Sequence, residues 1–429
     1  DDGFRNTTLS ARLGYDFTDT VGLDLRGYYA DGKSNYDGFP PPYYSFGDSG
    51  DFSQTRQLVG YAGLNFALAG GRLQNRVAWQ YTDTDRELFS GAIGEVFPSG
   101  TYDGRNQRYE YQGSWNIADG YSAVFGLQRE SSEMRSEGLP EFADARMDSA
   151  YVQVQAQVLA GLTLTAGDRY DDHDTFGSHN SAQLAAAWLL PTQTVFRASW
   201  GQGFKAPTLY QLYSDYANPS LQPETSSGWD AGIEQRLFDR RLVISATWFE
   251  RSTQDQINFV SCPFPLDAIC SAPGHSPWGY YENIARTEAQ GLELEAVVAL
   301  APALSLAANY TRTKAIDRSP GSATYGEQLL RRPRDMANAT LTWKAPFHLT
   351  SSVAVRYASS GADMNYDVFP AQRVALDAYT LVDLRMAHQF SDAVEFAGRV
   401  ENLFDEAYTT VYQYGTTGRA AYLSLQYRF

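Results

Sequence analysis

The most constraining feature of this sequence is an alternation of apolar and polar residues that recurs along the whole chain. In the closing stretch AAYLSLQYRF, one side of a strand would carry Ala421, Leu423, Leu425, Tyr427 and Phe429, because successive side chains of a strand point to opposite faces. The same alternation occurs in AVEFAGRVENL and in YSAVFGLQRE. The pattern predicts β-strands that have one apolar and one polar face.

Connections of two kinds join these strands in alternation. Very short turns such as TDT, AGG, ADG and FDR alternate with long segments rich in Gly, Pro, Asn and Asp. Short turns at one end and long loops at the other are typical of an antiparallel transmembrane β-barrel, apolar toward lipid and polar toward the lumen. The long loops are expected at 32–53, 87–101, 131–143, 205–223, 261–279, 316–327, 360–372 and 404–418.

Composition excludes several other classes of protein. Aromatic residues make up 14% of the chain, far more than disordered chains contain. No apolar run approaches the ~18 residues of a membrane-spanning helix, and the net charge of −16 argues against a nucleic-acid partner. A large soluble all-β protein or a propeller is the alternative, but a propeller would need four strands in every ~40–45 residues, and this chain supplies two.

The strand count suggests that the barrel is incomplete. Short-turn hairpins and one final strand give about 19 strands, whereas single-chain bacterial barrels have an even number. The first strand runs toward the short-turn side, where the last strand also ends. Three more strands before the first one would make the strand number even and would let the chain start on the short-turn side. The total would then be about 22, the size class whose lumen is plugged. We expect residues 1–429 to be one barrel domain without an N-terminal plug, without its first three strands and without a signal peptide.

Several motifs resemble those of TonB-dependent outer-membrane receptors. The resemblance rests on GFKAPTLYQLYSDYANPSLQPET (203–225) and on the closing ENLFDEAYTTVYQYGTTGRAAYLSLQYRF. Both FKAPTLYQLY and NLFD also occur in siderophore receptors. The cobalamin transporters of this family are more similar, through DDGF at the start, NYDGF (35–39), DDHDTFGSH (171–179), LLRRP (329–333) and VYQYGTTGR (411–419).

The resemblance implies a function and a location. A transporter of this kind lies in the Gram-negative outer membrane, takes up cobalamin, and is driven by TonB acting on the plug. A ferric siderophore receptor is the alternative, and a passive diffusion porin is a second one. The lipid bilayer, lipopolysaccharide and the outer-membrane assembly machinery are the other expected partners. A terminal strand that ends on Phe resembles the signal read by that machinery, which assigns this role to Tyr427 and Phe429.

Acidic loop residues are candidate calcium ligands. Ca²⁺ takes six to eight oxygen ligands, and cobalamin transporters bind calcium in the corresponding loops. The alternative is an ordinary solvated acidic surface. The candidate ligands are Asp37, Asp48, Asp51, Asp85 and Asp103.

The aromatic stretch FKAPTLYQLY is a candidate ligand-binding segment. Tyr210 and Tyr213 offer flat amphipathic surfaces, while Lys205 and Gln211 offer hydrogen bonds. A corrin ring with amide arms needs this mixture. The alternative is that Ala206-Pro207 simply turns a strand into a packed loop. By resemblance, Arg331 would face the ligand cavity. The alternative, favoured for Arg332, is a lumen-facing charge that pairs with carboxylates.

Two further clusters have simpler interpretations. Cys262 and Cys270, in a Pro/Gly-rich loop, suggest a disulfide in an oxidising compartment rather than half of a zinc site. The acidic run at 171–174, with His173 and His179, resembles the rim groups of enzymatic outer-membrane barrels. No matching partner set occurs elsewhere in the sequence, so we do not expect an enzyme.

Overall fold

The computed structural model describes residues 3–42, 45–262, 265–273, 275–276, 278–368 and 371–428, with only the backbone at 140 and 285. Within these ranges the chain is almost entirely β-structure. The elements are β1 (Phe4–Thr18), β2 (Val21–Asn35), β3 (Phe52–Leu68), β4 (Leu73–Ala92), β5 (Glu95–Ala118), β6 (Tyr121–Ser136), β7 (Leu139–Leu159), β8 (Leu162–His173), β9 (Gly177–Leu189), β10 (Thr194–Lys205), α1 (Leu209–Tyr213), β11 (Glu224–Leu237), β12 (Leu242–Ser261), β13 (Gly279–Ala301), β14 (Leu304–Asp317), β15 (Asp335–Ala345), β16 (Leu349–Ala358), β17 (Gly361–Asn365), β18 (Gln372–Leu376), β19 (Tyr379–Gln389), β20 (Val394–Glu401) and β21 (Ala420–Tyr427).

The main sheet contains 19 of the described strands, and β17 and β18 form a separate two-stranded sheet. This agrees with the strand count expected from the sequence. The chain divides into two compact units. The first comprises Asp1–Leu184, Gly201–Ser226 and Gln254–Ala285, and the second comprises Ala185–Trp200, Ser227–Thr253 and Arg286–Phe429.

Neighbouring strands pair antiparallel in chain order within each unit. In the first unit the ladder runs from β1 through β8. In the second unit it runs from β13 through β16 and then through β19, β20 and β21. The β17–β18 hairpin is inserted in the connection between β16 and β19. Up-and-down pairing of this kind is what the alternating hairpins predict.

The register keeps the two faces of the sheet separate. On β6, Phe125 and Leu127 lie opposite Gly113 and Tyr111 of β5 and share the apolar face. Side chains of the apolar face are exposed; Leu127, for example, is 59% exposed. The opposite face of the same strands carries carboxylates, amides and guanidinium groups. An exposed apolar face beside a polar one is the pattern of strands that contact lipid on one side.

The short connections fold as predicted, but two of the predicted long loops do not. Residues 87–101 and 131–143 lie mostly in the hairpins β4–β5 and β6–β7, which continue to Ala92↔Glu95 and Ser136↔Leu139. The glycines that suggested a loop instead form a tight turn, since Gly94 has a φ of 88° that favours glycine. At the base of the first hairpin's extension Phe89 pairs with Pro98 of β5 and also stacks on Phe52 of the neighbouring β3, with ring centroids 4.4 Å apart.

No helix in the described ranges has the length and apolar character needed to cross a membrane.

Candidate functional site

The loop between β10 and β11 contains the one helix of the described chain, and its first turn is capped by its own side chains. Thr208 Oγ1 accepts a hydrogen bond from the Gln211 backbone N–H at 3.2 Å, and Gln211 Oε1 accepts one from the Thr208 N–H at 2.9 Å. This reciprocal pair is a capping box. The side-chain oxygen of Gln211, which the sequence suggested for ligand binding, therefore fixes the start of α1.

Tyr210 packs into a cluster of aromatic rings. Its ring centroid lies 5.9 Å from that of Tyr102 and 6.2 Å from that of Tyr281. Burial, together with the neighbouring Tyr102 hydroxyl, raises the pKa of Tyr210 above its ordinary value. The phenol is therefore a neutral hydrogen-bonding group at any physiological pH. Tyr213, by contrast, presents 42% of its surface to solvent.

A small hydrophobic core lies beneath the same loop. Leu212 and Leu221 are buried against Ile257 of β12, and Phe176 and Tyr281 pack against them. This burial orders the loop, because buried apolar area is the main source of stability for a segment outside a sheet. The stretch is therefore a packed loop, and its role in ligand binding stays a prediction.

Lys205 stands at the end of β10 and already has a counter-ion. Its Nζ lies 2.9 Å from Glu224 Oε1, at the start of β11. The same carboxylate oxygen accepts the Ile257 N–H at 3.3 Å. Glu224 is thus the point at which the loop, β11 and β12 are joined. Sequence reasoning missed this residue, although it lies within the quoted LQPET stretch.

A cavity of about 590 Å³ lies between α1 and the polar face of β6 to β8. Register places Glu130 opposite Met147 and Met147 opposite His173, so these side chains form a row across three strands. The remaining lining residues are Ser132, Met134, Ala145, Arg146, Arg169, Asp171, Phe204, Lys205, Ala206, Pro207, Thr208, Leu209 and Tyr210. The cavity therefore combines soft apolar and aromatic walls with several polar groups, as ligand sites do.

The acidic run near His173 has a structural role in this arrangement. Asp171 accepts a hydrogen bond from Arg169 Nε at 2.8 Å. His173 Nδ1 accepts the Thr175 N–H at 3.1 Å, and Asp174 accepts the Arg146 N–H at 2.8 Å. These contacts close the turn between β8 and β9. His173 Nδ1 also lies 3.2 Å from Asp174 Oδ1, so the imidazole and this carboxylate are held together within the same turn.

The five candidate calcium ligands fall into two separate sets. Asp51 Oδ1 accepts the Gly91 N–H at 2.9 Å and so joins its loop to the β4–β5 hairpin. Asp37 is half-buried and Asp48 is exposed in the same loop. Asp85 and Asp103 lie directly opposite each other on β4 and β5.

Arginine side chains accompany the second aspartate set. Asp103 accepts a hydrogen bond from Arg135 Nε at 2.8 Å, and the neighbouring Asp83 pairs with Arg105 at 3.1 Å. Across the described chain, no three His, Cys, Asp or Glu side chains are grouped closely enough to hold a metal ion. Calcium binding by the five aspartates stays a prediction.

Arg331 belongs to a second loop assembly, in the second unit. Its Nε donates to Asp363 Oδ1 at 2.8 Å, and its backbone N–H donates to Ala362 at 2.8 Å. The other carboxylate oxygen of Asp363 accepts the Tyr412 N–H at 2.8 Å. LLRRP and VYQYGTTGR therefore meet at one buried carboxylate. No sequence signal singled out Asp363, which lies in a Gly/Asp loop like many others in this chain.

The remaining predicted residues have plain outcomes. Cys262 and Cys270 form the predicted disulfide, with Cα atoms 6.0 Å apart. Tyr427 ends β21 and is 65% exposed, while Phe429 lies outside the described residues. The assembly signal stays a prediction.

Comparison with known proteins assigns the family. The TonB dependent receptor-like, beta-barrel family model matches residues 1–403, and the chain belongs to this family. It is therefore an outer-membrane β-barrel of the TonB-dependent receptor and transporter class of Gram-negative bacteria, which is not a class of enzymes. Expected fold and location are thus confirmed.

Solved structures agree on the fold. The chain is similar to the siderophore receptor PirA from Acinetobacter baumannii, with 17% identity, a TM-score of 0.80, and coverage of 100% of this chain and 71% of that chain. It is also similar to the ferripyoverdine receptor of Pseudomonas aeruginosa, with 18% identity, a TM-score of 0.76, and coverage of 99% of this chain and 65% of that chain. The ferric-catecholate import receptor Fiu from Escherichia coli K12 has 14% identity and a TM-score of 0.75, with coverage of 100% of this chain and 75% of that chain. The chain thus spans about two thirds to three quarters of the length of these receptors.

Proposed function

We propose that this chain is the barrel of a receptor that captures a ferric siderophore and passes it across the outer membrane in a TonB-dependent step. The cavity beneath α1 is the single observation that carries the proposal. It lies beside the long connection between β10 and β11, and long connections face the cell exterior in such barrels. The solved receptors of similar fold named above support an iron complex as the cargo. This choice reverses the order of the two ligands favoured by the sequence motifs.

Cobalamin is the second candidate ligand. The observation in its favour is that the two motifs most similar to cobalamin transporters, LLRRP and VYQYGTTGR, are joined through Asp363. Equilibrium binding separates the two candidates: the receptor containing this chain is titrated with a panel of ferric siderophores and with cyanocobalamin. Binding of an iron complex alone supports the siderophore function, and binding of cyanocobalamin alone replaces it.

A passive pore is the remaining alternative. Conductance of the reconstituted receptor decides this point, because an open diffusion barrel conducts ions continuously and a plugged receptor does not. Coupling to TonB through a plug is part of the proposal, and so are contacts with lipopolysaccharide and with the assembly machinery. Calcium binding by the acidic loops also stays a prediction, and no step of the proposed transport depends on it.

A further inference from the structure

We propose that the cavity beneath α1 takes an uncharged metal chelate and discriminates against polyanionic iron complexes. This inference rests on the proposed function and specifies the class of its ligand. A ferric trihydroxamate and a corrin such as cyanocobalamin share this chemistry, because both are neutral and rich in amide or hydroxamate oxygens. A ferric tris-catecholate carries three negative charges and belongs to the disfavoured class.

The first observation is that two of the three cations lining the cavity, Arg169 and Lys205, already have carboxylate partners; Arg146 is the third. Arg169 pairs with Asp171 at 2.8 Å, and Lys205 pairs with Glu224 at 2.9 Å. In each ion pair the carboxylate is the less exposed partner: the side chain of Asp171 is 7% exposed and that of Glu224 is 13% exposed. An anionic ligand that drew either cation away would leave a buried carboxylate without its partner, which is strongly unfavourable.

An acidic side chain of the cavity wall shows the same arrangement. Glu130 accepts hydrogen bonds from Arg108 Nε at 2.7 Å and from the Asn106 amide at 3.0 Å. Its charge is therefore matched within the polar face of β5 and β6. The described wall offers no cluster of uncompensated guanidinium groups, which is the usual means of binding a polyanion.

Two loop cations of the second unit also have carboxylate partners. Arg331 pairs with the buried Asp363, and Arg318 pairs with Glu288 at 2.7 Å. The chain as a whole carries a formal charge of −16. A field of this sign slows the approach of anions at low ionic strength and leaves neutral ligands unaffected.

The remaining cavity surface suits a neutral chelate. Phe204, Leu209 and Tyr210 supply aromatic and aliphatic contacts, and Met134 and Met147 supply adaptable thioethers. The hydroxyl group of Ser132 lines the same wall and accepts from the Asn106 amide, which leaves its O–H able to donate to amide or hydroxamate oxygens. A ligand with apolar edges and carbonyl oxygens fits both kinds of wall.

The test is a binding series on the receptor containing this chain. Ligands are a neutral ferric trihydroxamate, cyanocobalamin and a ferric tris-catecholate, each measured by isothermal titration at low and at moderate salt. We expect at least one neutral ligand to bind about tenfold or more tightly than the catecholate complex. Salt should raise the affinity only for the anion, by screening repulsion.

The outcomes separate the two levels of the proposal. Tighter binding of the catecholate complex overturns the charge inference but leaves a siderophore receptor in place. Binding of cyanocobalamin without any iron complex supports the charge inference and overturns the siderophore function. Failure of all three ligands to bind overturns both.

A substitution tests the ion pair directly. Glu224→Gln keeps an oxygen that is able to accept the Ile257 N–H but frees the charge of Lys205, so affinity for the anionic complex should rise about tenfold. Glu234→Gln is the matched control, because Glu234 also pairs with arginine but lies at the other end of β11, about 33 Å further along the strand. Equal effects of the two variants, or none for Glu224→Gln, would contradict the inference.

Discussion

Arg331 donates through Nε to Oδ1 of Asp363 at 2.8 Å, and Asp363 is completely buried while Arg331 remains 46% exposed. The same carboxylate accepts the N–H groups of Met364 and Tyr412 at 2.9 and 2.8 Å. Three connections, those before β15, around β17 and before β21, are thereby held at one point. Arg331 also has a φ of 54°, which is uncommon for a residue other than glycine and which this contact stabilises.

Removing the charge of Asp363 should loosen this assembly without unfolding the sheet. Asp363→Asn leaves Arg331 without its counter-ion, at a cost of about 1–3 kcal/mol. Hydrogen exchange at the Tyr412 amide should accelerate about tenfold or more, while amides of β15 and β16 keep their protection. Asp377→Asn is the control, because Asp377 is exposed in the same connection. Unchanged exchange at Tyr412 would contradict the anchoring role.

Acid should release the same assembly. Burial acts to raise the pKa of Asp363, but hydrogen bonds from Tyr412, Met364 and Arg331 outweigh it and hold the pKa below its ordinary value of 3.8. A carboxyl whose folded pKa is depressed stabilises the fold above its unfolded pKa, and this contribution is lost as the pH falls through the folded pKa. We expect proteolytic protection of the three connections at pH 5 and its loss only below about pH 4. Loss of protection already near neutral pH would contradict this.

The capping box should matter for the cavity. Thr208→Ala removes the side-chain acceptor for the Gln211 N–H and should destabilise α1 by about 1 kcal/mol. Because α1 forms one wall of the cavity, affinity for a bound chelate should fall several-fold, as measured by titration. Thr208→Ser keeps the hydroxyl and should bind as the unaltered protein does. A loss of the same size in both variants would point to the methyl group instead of the cap.

The disulfide should stabilise its own loop and little else. Cys262 and Cys270 are 8 positions apart, and a loop of this size gains about 2–3 kcal/mol from closure. Reducing agent should therefore speed proteolysis between β12 and β13 while the thermal midpoint of the sheet stays the same. A Cys262→Ser, Cys270→Ser double variant should be cleaved at the faster rate with or without reductant. A drop in the global midpoint would show that the bridge supports more than the loop.

Calcium dependence is tested by a paired substitution. If the acidic loops bind calcium, Asp37→Asn combined with Asp85→Asn weakens ligand binding in calcium and changes nothing once calcium is chelated. Asp119→Asn, in a short turn at the other end of the strands, serves as the control. Equal loss of binding with and without chelator would show that the effect of the two substitutions does not depend on calcium.

The fold was predictable because its signal is local. Period-two alternation and short turns are properties of neighbouring residues, and the 19 strands of the main sheet follow from them. Strand ends were less predictable. Gly91 and Gly94 are typical of loops, yet cross-strand pairs such as Gly91 with Val96 carry the β4–β5 hairpin up to the turn that contains Gly94.

The candidate site was predictable only in part. The sequence identified the FKAPTLYQLY stretch, and the structure places it over a cavity. It did not show that Gln211 caps α1, that Lys205 is neutralised by Glu224, or that Arg331 is bound to Asp363. Thr208 lies only three positions from Gln211, but Glu224 and Asp363 are distant along the chain from the cations that they pair with.

By itself, the sequence determined a β-protein with one apolar and one polar face, its turns, its disulfide and its family. These follow from covalent geometry and from residue types within a few positions of each other. Only the tertiary structure decided which charges are free and which are matched, because ion pairs such as Arg331 with Asp363 form between segments that strand pairing brings together.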